Sequence, residues 1–483
     1  MNLSNNKKIA IDQIEEKSAL VTEVSDKIWA YAETSLKEVH SCALYVEKCR
    51  AEGFEVEENF CGIPTAFAAS FGSGSPRIGI LAEYDALSGL SQKAGGLTPE
   101  EIIPGGNGHG CGHNILGAGA FAAALGIKAY LEANPGKGTV ILYGTPGEEG
   151  WASKAYMARE KVWETLDVAL TWHPEDTNEV VTGSSNSCLQ YLYKFTGLAS
   201  HASGAPEKGR SALDAVELMN IGVQFLREHM SSKARVHYAI IDNGGSSPNV
   251  VQPRASVLYY VRENHIGEAM ELLRRVNLIA EGAAHMTETT MEKYFVDGLA
   301  DTITNRTLEK VLYDNFSELG VPAYTEEEIA FTDALAATYE GADTHVPGLG
   351  AEADEDYAEM VRAMRDKAGH AMNDFLLPTY QGSIFRAGST DVGDVSWQCP
   401  TAQIHVAAWP NGEAGHSWQN VSCVATSIGH KAALHAGKVI AAAAIDLYEN
   451  PEVLVEAKAE HARRTRAGYI CPFPPEAKPE MII

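Results

Sequence analysis

Apolar residues recur at helical spacing from about Ile9 to Leu36 and again from Val39 to Glu52, which predicts two helices at the start of the chain. The period then changes. Arg77–Tyr84 (RIGILAEY), Thr139–Thr145 (TVILYGT) and Asp167–His173 (DVALTWH) are short apolar runs of strand length, and the alanine-rich Ile115–Ala133 between the first two reads as a crossover helix. That order predicts an α/β, doubly wound domain. The middle of the chain has another rhythm, with strands over Leu189–Thr196, Arg235–Ile241 and Ser256–Glu263 and helices over Ser211–Met230 and Gly267–Thr287. A small inserted α+β domain follows from it. The predicted boundaries are residues 1–186 for the first part of the larger domain, 187–300 for the insert and 301–483 for the remainder. Within the last part, Glu326–Gly382 is acidic, carries Pro347, Gly348 and Gly350 as breakers, and reads as a surface excursion before the sheet resumes.

Composition narrows the partners. No apolar run reaches the about 18 residues of a membrane span, and MNLSNNKKIAIDQIEEKSAL meets charge where a signal peptide would have its apolar stretch. The expected location is cytoplasmic, with no membrane association. With 38 basic against 64 acidic residues the net charge is -26, which argues against nucleic acid as a partner and requires a local basic site for any anionic substrate. The eight cysteines contain no C-x-x-C pair and suit a reducing compartment.

In open α/β sheets ligands bind beyond the carboxyl ends of the strands, and four polar clusters fall there: Glu83 to Asp85, Glu148 with Glu149, His173, and His109 to His113 ahead of its helix. The stretch Gly108-His109-Gly110-Cys111-Gly112-His113-Asn114 puts metal-seeking side chains on a turn that glycine lets fold tightly. Adjacent carboxylates at Glu148 and Glu149 are costly at the end of an apolar strand unless a cation waits there. One could ligate an ion while the other takes a proton from the water it activates. Two other readings stay open at this point: Cys111 as a nucleophile with His113 as its base, and a plain glycine loop around a buried cysteine.

Taken in order, Cys111-Gly112-His113, Glu148-Glu149, His173, Ser200-His201-Ala202-Ser203 and Gly415-His416-Ser417 resemble the metal-dependent aminoacylase and carboxypeptidase family that includes hippurate hydrolases and auxin-conjugate hydrolases. The 24-residue separation of Glu149 from His173 is similar to that family's as well, and the resemblance runs over nearly the whole chain. Asn107 to Asn114, Gly388-Ser389-Thr390-Asp391 and the acidic excursion resemble most the branch of that family that splits p-aminobenzoyl-glutamate.

The resemblance implies a two-domain metallopeptidase, in which the larger domain is catalytic and the insert serves dimerisation or acts as a lid. It implies two divalent metal ions, Mn2+ or Zn2+ with a tilt toward manganese, held by Cys111 as the bridging ligand with His113, Glu149, His173 and His416. Glu148 is then the general base, His201 stabilises the oxyanion, Asn249 and Arg262 bind a substrate carboxylate, and Asp85 orients a ligand. The implied activity is cleavage of the amide bond of a small anionic N-acyl or N-aroyl amino acid, with p-aminobenzoyl-glutamate foremost. A dipeptidase or aminoacylase for another acyl group is the alternative within the class, and a partner subunit of a heteromeric hydrolase the alternative outside it. The assembly is expected to be a homodimer or a heteromer with a related subunit. Two departures stand out: Asn114 replaces the aspartate that other branches carry after the ligand histidine, and Glu83 stands where the broader family has a histidine, leaving the metal-binding work to His113.

Overall fold

The computed structural model describes residues 3–348 and 353–482, so the breaker expected at Gly350 lies outside the described residues. The chain divides into two compact units.

The larger unit comprises residues 1–183, 303–384 and 395–469 and is built on a seven-stranded sheet. In spatial order its strands are Glu55–Glu58, Phe67–Ser73, Gly138–Gly144, Arg77–Ala82, Val168–Glu175, Thr401–Ala407 and Glu179–Val180. The four from Gly138–Gly144 to Thr401–Ala407 are parallel, and the flanking strands run antiparallel. Every residue of Gly138–Gly144 is buried, which explains why this strand reads as a continuous apolar run instead of an alternating one.

Helix His113–Ala133 packs on this sheet and along helix Ser427–Glu449. It is long and apolar enough to cross a membrane, yet it is buried in the core. Its small residues serve the close approach: a side chain at Gly437 would meet Ala122 Cβ at 2.8 Å and the Gly119 carbonyl oxygen at 3.0 Å. The alanine-rich pattern therefore reflects helix-to-helix distance.

Three sequence expectations need correction here. The helix predicted over Ile9–Leu36 is two, Asn5–Glu16 and Ser18–Tyr31, because Lys17 leaves helical geometry at ψ 6°, and the second ends on a left-handed Ala32. Glu326–Gly382 is not a mere surface excursion: it forms helices Glu326–Ala336 and Glu355–Ala368, buries Leu335 and Met372 in the main core, and builds a second cluster from Tyr357, Val361, Leu377 and Ile384. Its acidic residues hid those few apolar anchors. Residues 385–394 and those from Ile470 onward, assigned from sequence to the larger domain, group instead with the smaller unit.

That smaller unit otherwise spans residues 184–302 and carries a four-stranded antiparallel sheet, ordered Thr290–Leu299, Ser187–Thr196, Arg254–Glu263 and Arg235–Asp242. Helices Ala212–Leu226 and Ile266–Thr287 pack on it and on each other. Sequence reading missed Thr290–Leu299 because its register shifts between Phe295 and Asp297, and a bulge breaks the two-residue alternation. The strand Arg235–Asp242 lies at the sheet edge with Tyr238, Ile240 and Ile241 exposed.

Candidate metal centre

The carboxyl ends of the parallel strands bring together the polar residues singled out from sequence. Arg77–Ala82 runs directly into Glu83-Tyr84-Asp85, all buried. The turn after Gly138–Gly144 carries Glu148 and Glu149 and is tied back through Thr145 N–H to the Ala82 carbonyl at 2.8 Å. Gly147 makes that turn at φ +78°, and an added Cβ would meet the Trp151 carbonyl oxygen at 2.9 Å. His173 lies on the strand Val168–Glu175.

Cys111 and His113 flank Gly112, whose φ of +72° caps helix His113–Ala133 and whose missing side chain leaves room for Pro174. His416, on the loop after Thr401–Ala407, is a non-glycine residue at φ +60°, a conformation that costs of order 1–3 kcal/mol and concentrates at functional sites. Its N–H donates to the Gly110 carbonyl at 3.2 Å, so the two loops are stitched together.

The donor atoms form three overlapping groups, each with its atoms within 4.8 Å of one another: Cys111, His113 and His173; Cys111, Glu149 and His416; Glu83, His113 and Glu148. Cys111 Sγ is 3.4 Å from His173 Nε2, and His416 Nε2 is 3.6 Å from Glu149 Oε2. His113 Nε2 and Glu149 Oε1 are buried without a hydrogen-bond partner among the described residues. Buried donors left unsatisfied carry a desolvation cost that an ion between them removes, and mixed thiolate, imidazole and carboxylate ligation suits a first-row divalent cation. The residues present therefore fit the metal.

Outer contacts hold the ligands in usable states. Asp85 Oδ1 accepts from His113 Nδ1 at 2.9 Å, while its other oxygen accepts from Ser35 Oγ and the Glu149 N–H, each at 2.9 Å. Burial pushes the Asp85 carboxyl up, but the hydrogen bond and charge of His113 outweigh it and leave it below its ordinary value. An ionised Asp85 thus fixes the proton of His113 on Nδ1 and turns Nε2 into the cluster. His173 Nδ1 donates to the Pro174 carbonyl at 2.7 Å, and burial, then the charge of His113, pushes its pKa well down. It is a neutral imidazole with its Nε2 lone pair facing Cys111. Burial and the Glu149 carboxylate raise the Cys111 thiol well above its usual value, so the protein alone does not activate it as a nucleophile. A bound cation is what would make it a thiolate.

His109 is absent from these groups. Its Nε2 donates to the Ile28 carbonyl at 3.0 Å, and burial, then His113, pushes its pKa down to about 4. It pins the glycine-rich loop to a neighbouring helix. Asn114 is likewise structural, donating to Ser25 Oγ at 3.1 Å.

His201, Asn249 and Arg262 all belong to the smaller unit. His201 is exposed, with Nδ1 accepting from the N–H groups of Ser203 at 3.3 Å and Gly204 at 3.1 Å. The exposed Asn249 lies beside it, its carbonyl accepting from Ala202 N–H at 3.0 Å. Arg262 stacks over the Tyr260 ring at 4.5 Å and donates to Ser389 Oγ at 3.1 Å, so the Gly388-Ser389-Thr390-Asp391 motif steers this guanidinium. Reading the sequence did not find that contact, nor Lys154, whose buried ammonium lies 2.7 Å from Glu83 Oε1.

This fold and this donor set define a metal-dependent hydrolase of amide bonds, and the comparisons with known proteins agree. The chain belongs to the peptidase family M20/M25/M40, whose pattern matches residues 79–366. It is 43% identical to the B-type chain of Escherichia coli p-aminobenzoyl-glutamate hydrolase over 97% of both chains. It is 30% identical to a mouse Xaa-Arg dipeptidase over 71% of this chain and 78% of that one. A dinuclear metal-binding peptidase of the M20 family from Bacillus subtilis shares the fold, with a TM-score of 0.55 at 16% identity over 90% of this chain and 99% of that one. The chain is thus a metal-dependent amidohydrolase of the peptidase family M20/M25/M40, with donor groups that could hold metal.

Proposed function

We propose that the chain hydrolyses p-aminobenzoyl-glutamate to p-aminobenzoate and glutamate. The observation that carries this reading is the 43% identity to the Escherichia coli p-aminobenzoyl-glutamate hydrolase chain, which extends over 97% of each. Cys111, His113, Glu149, His173 and His416 would hold the two ions. Manganese is preferred to zinc. When bound, the ions polarise the amide carbonyl and acidify the attacking water.

Glu148 accepts the proton of that water as its oxygen bonds to the amide carbon. The C–N bond then breaks, and Glu148 returns the proton to the departing amine nitrogen. His201 is assigned to the developing oxyanion, and Asn249 with Arg262 to the glutamate carboxylates, for which the planar guanidinium held by Ser389 is suited. Residues of the smaller unit are assigned to oligomer formation, and its exposed edge strand Arg235–Asp242 supports that role. The partner is a second copy or a related A-type chain, in the cytoplasm.

The identity to the dipeptidase favours a second reading, in which a basic dipeptide is the substrate. Comparing kcat/KM for p-aminobenzoyl-glutamate with that for a dipeptide ending in arginine separates the two. The proposal expects a preference of at least about 100-fold for the former, the scale on which an unpaired charge in a binding site discriminates. A preference for the arginine dipeptide would contradict it.

A further inference from the structure

Glu83 is set aside by the sequence reading, yet it stands on the floor of the metal centre. It is the residue directly after strand Arg77–Ala82, 3% exposed, with its two oxygens committed in opposite directions. Oε1 lies 2.7 Å from the ammonium of Lys154, whose side chain has no exposure at all. Oε2 lies 3.2 Å from His113 Nε2. That nitrogen is the one Asp85 turns inward, and among the described residues it is buried with this carboxylate beside it and no hydrogen bond. A nitrogen and an oxygen about 3 Å apart are spaced as neighbouring ligands about one ion, since each bond is roughly 2.0–2.2 Å long.

Charge points the same way. Glu83, Asp85, Glu148 and Glu149 are four acidic side chains around a floor where Lys154 supplies a buried ammonium. Lys154 offsets one of these charges, and a divalent cation beside them would offset more.

Resting on the two-ion reading of the site, we propose that Glu83 is a further metal ligand, sharing with His113 one of the two ions, and that Lys154 is the positioning residue that decides which of its oxygens ligates. Ligating carboxylates are themselves hydrogen-bonded, and an ammonium on Oε1 leaves Oε2 as the only oxygen facing His113. Short helix Ser153–Arg159 delivers Lys154 to that place.

The test is manganese titration of the dialysed full-length chain, followed by calorimetry and by the metal-to-protein ratio. The wild type is expected to take two ions per chain. Glu83→Gln keeps the length of the side chain and its contact with Lys154, and is expected to weaken one of the two ions by at least ~10-fold while leaving the other in place. Because a lone buried ammonium can impair folding, the double variant Glu83→Gln with Lys154→Met, which removes both charges at similar volume, is titrated alongside and should show the same selective loss. If either folded variant binds both ions with wild-type affinity, Glu83 is only the counter-ion of Lys154 and the proposal is overturned. A wild-type chain that takes no second ion would instead bring down the two-ion reading itself.

Discussion

Glu148→Gln lowers kcat by about 10²–10⁴-fold, the usual contribution of a positioned general base, while bound metal and KM stay near wild type. The amide keeps the size and polarity of the carboxylate but cannot take the proton of the attacking water. Glu148 groups with Glu83 and His113, on the turn that also presents Glu149 to Cys111 and His416. The pair of neighbouring carboxylates therefore divides its work, Glu149 toward the ligands and Glu148 toward the proton. A stopped-flow comparison with metal content measured on the same samples checks this. A chain that served only as a non-catalytic partner would be indifferent to the substitution.

Cys111→Ala is expected to have the largest effect on metal retention. Cys111 belongs to two of the three donor groups, meeting His113 and His173 in one and Glu149 and His416 in the other. Removing a ligand shared between two ions should weaken both by more than the roughly 10–100-fold that follows loss of an outer partner. Dialysed Cys111→Ala should therefore hold less than half the wild-type manganese and show no turnover at that loading. The metal-free variant should melt close to the metal-free wild type, lowered only by the small cavity that the lost sulfur of a neutral thiol leaves. If turnover is lost while both ions stay tightly bound, Cys111 acts as a nucleophile and the ligand assignment is wrong.

The parts of this arrangement that were legible in the sequence are those with short-range causes. Thr139–Thr145 announces a buried parallel strand because both of its faces are covered, and Ile115–Ala133 announces a helix at close quarters through its alanines and glycines. Cys111, His113, Glu148, Glu149 and His173 could be gathered because each stands at a strand end or helix start on the same side of one sheet. His416 required the family's order of motifs, since no local pattern ties it to the other ligands.

What stayed hidden depends on contacts between distant segments. Ser35 touches Asp85 from the turn after the second helix, and Lys154 reaches Glu83 from the short helix Ser153–Arg159. A lone serine in a turn or a lone lysine in a helix reads as surface. Ser389 could be noted as part of a motif, but its grip on Arg262 appears only once residues 385–394 join the smaller unit. Strand Thr290–Leu299 was lost to a bulge, and the helices of Glu326–Gly382 to acidic residues covering a thin apolar stripe.

The measurement that bears most directly on the central claim is p-aminobenzoate release from p-aminobenzoyl-glutamate by the purified chain, assayed as loaded with manganese, after chelation and after manganese is restored. The account predicts release that disappears on chelation and returns with the metal, and that survives alkylation of surface thiols. Release that persists in the chelated sample and is abolished by modifying Cys111 would contradict it, because the chemistry would then belong to the thiol.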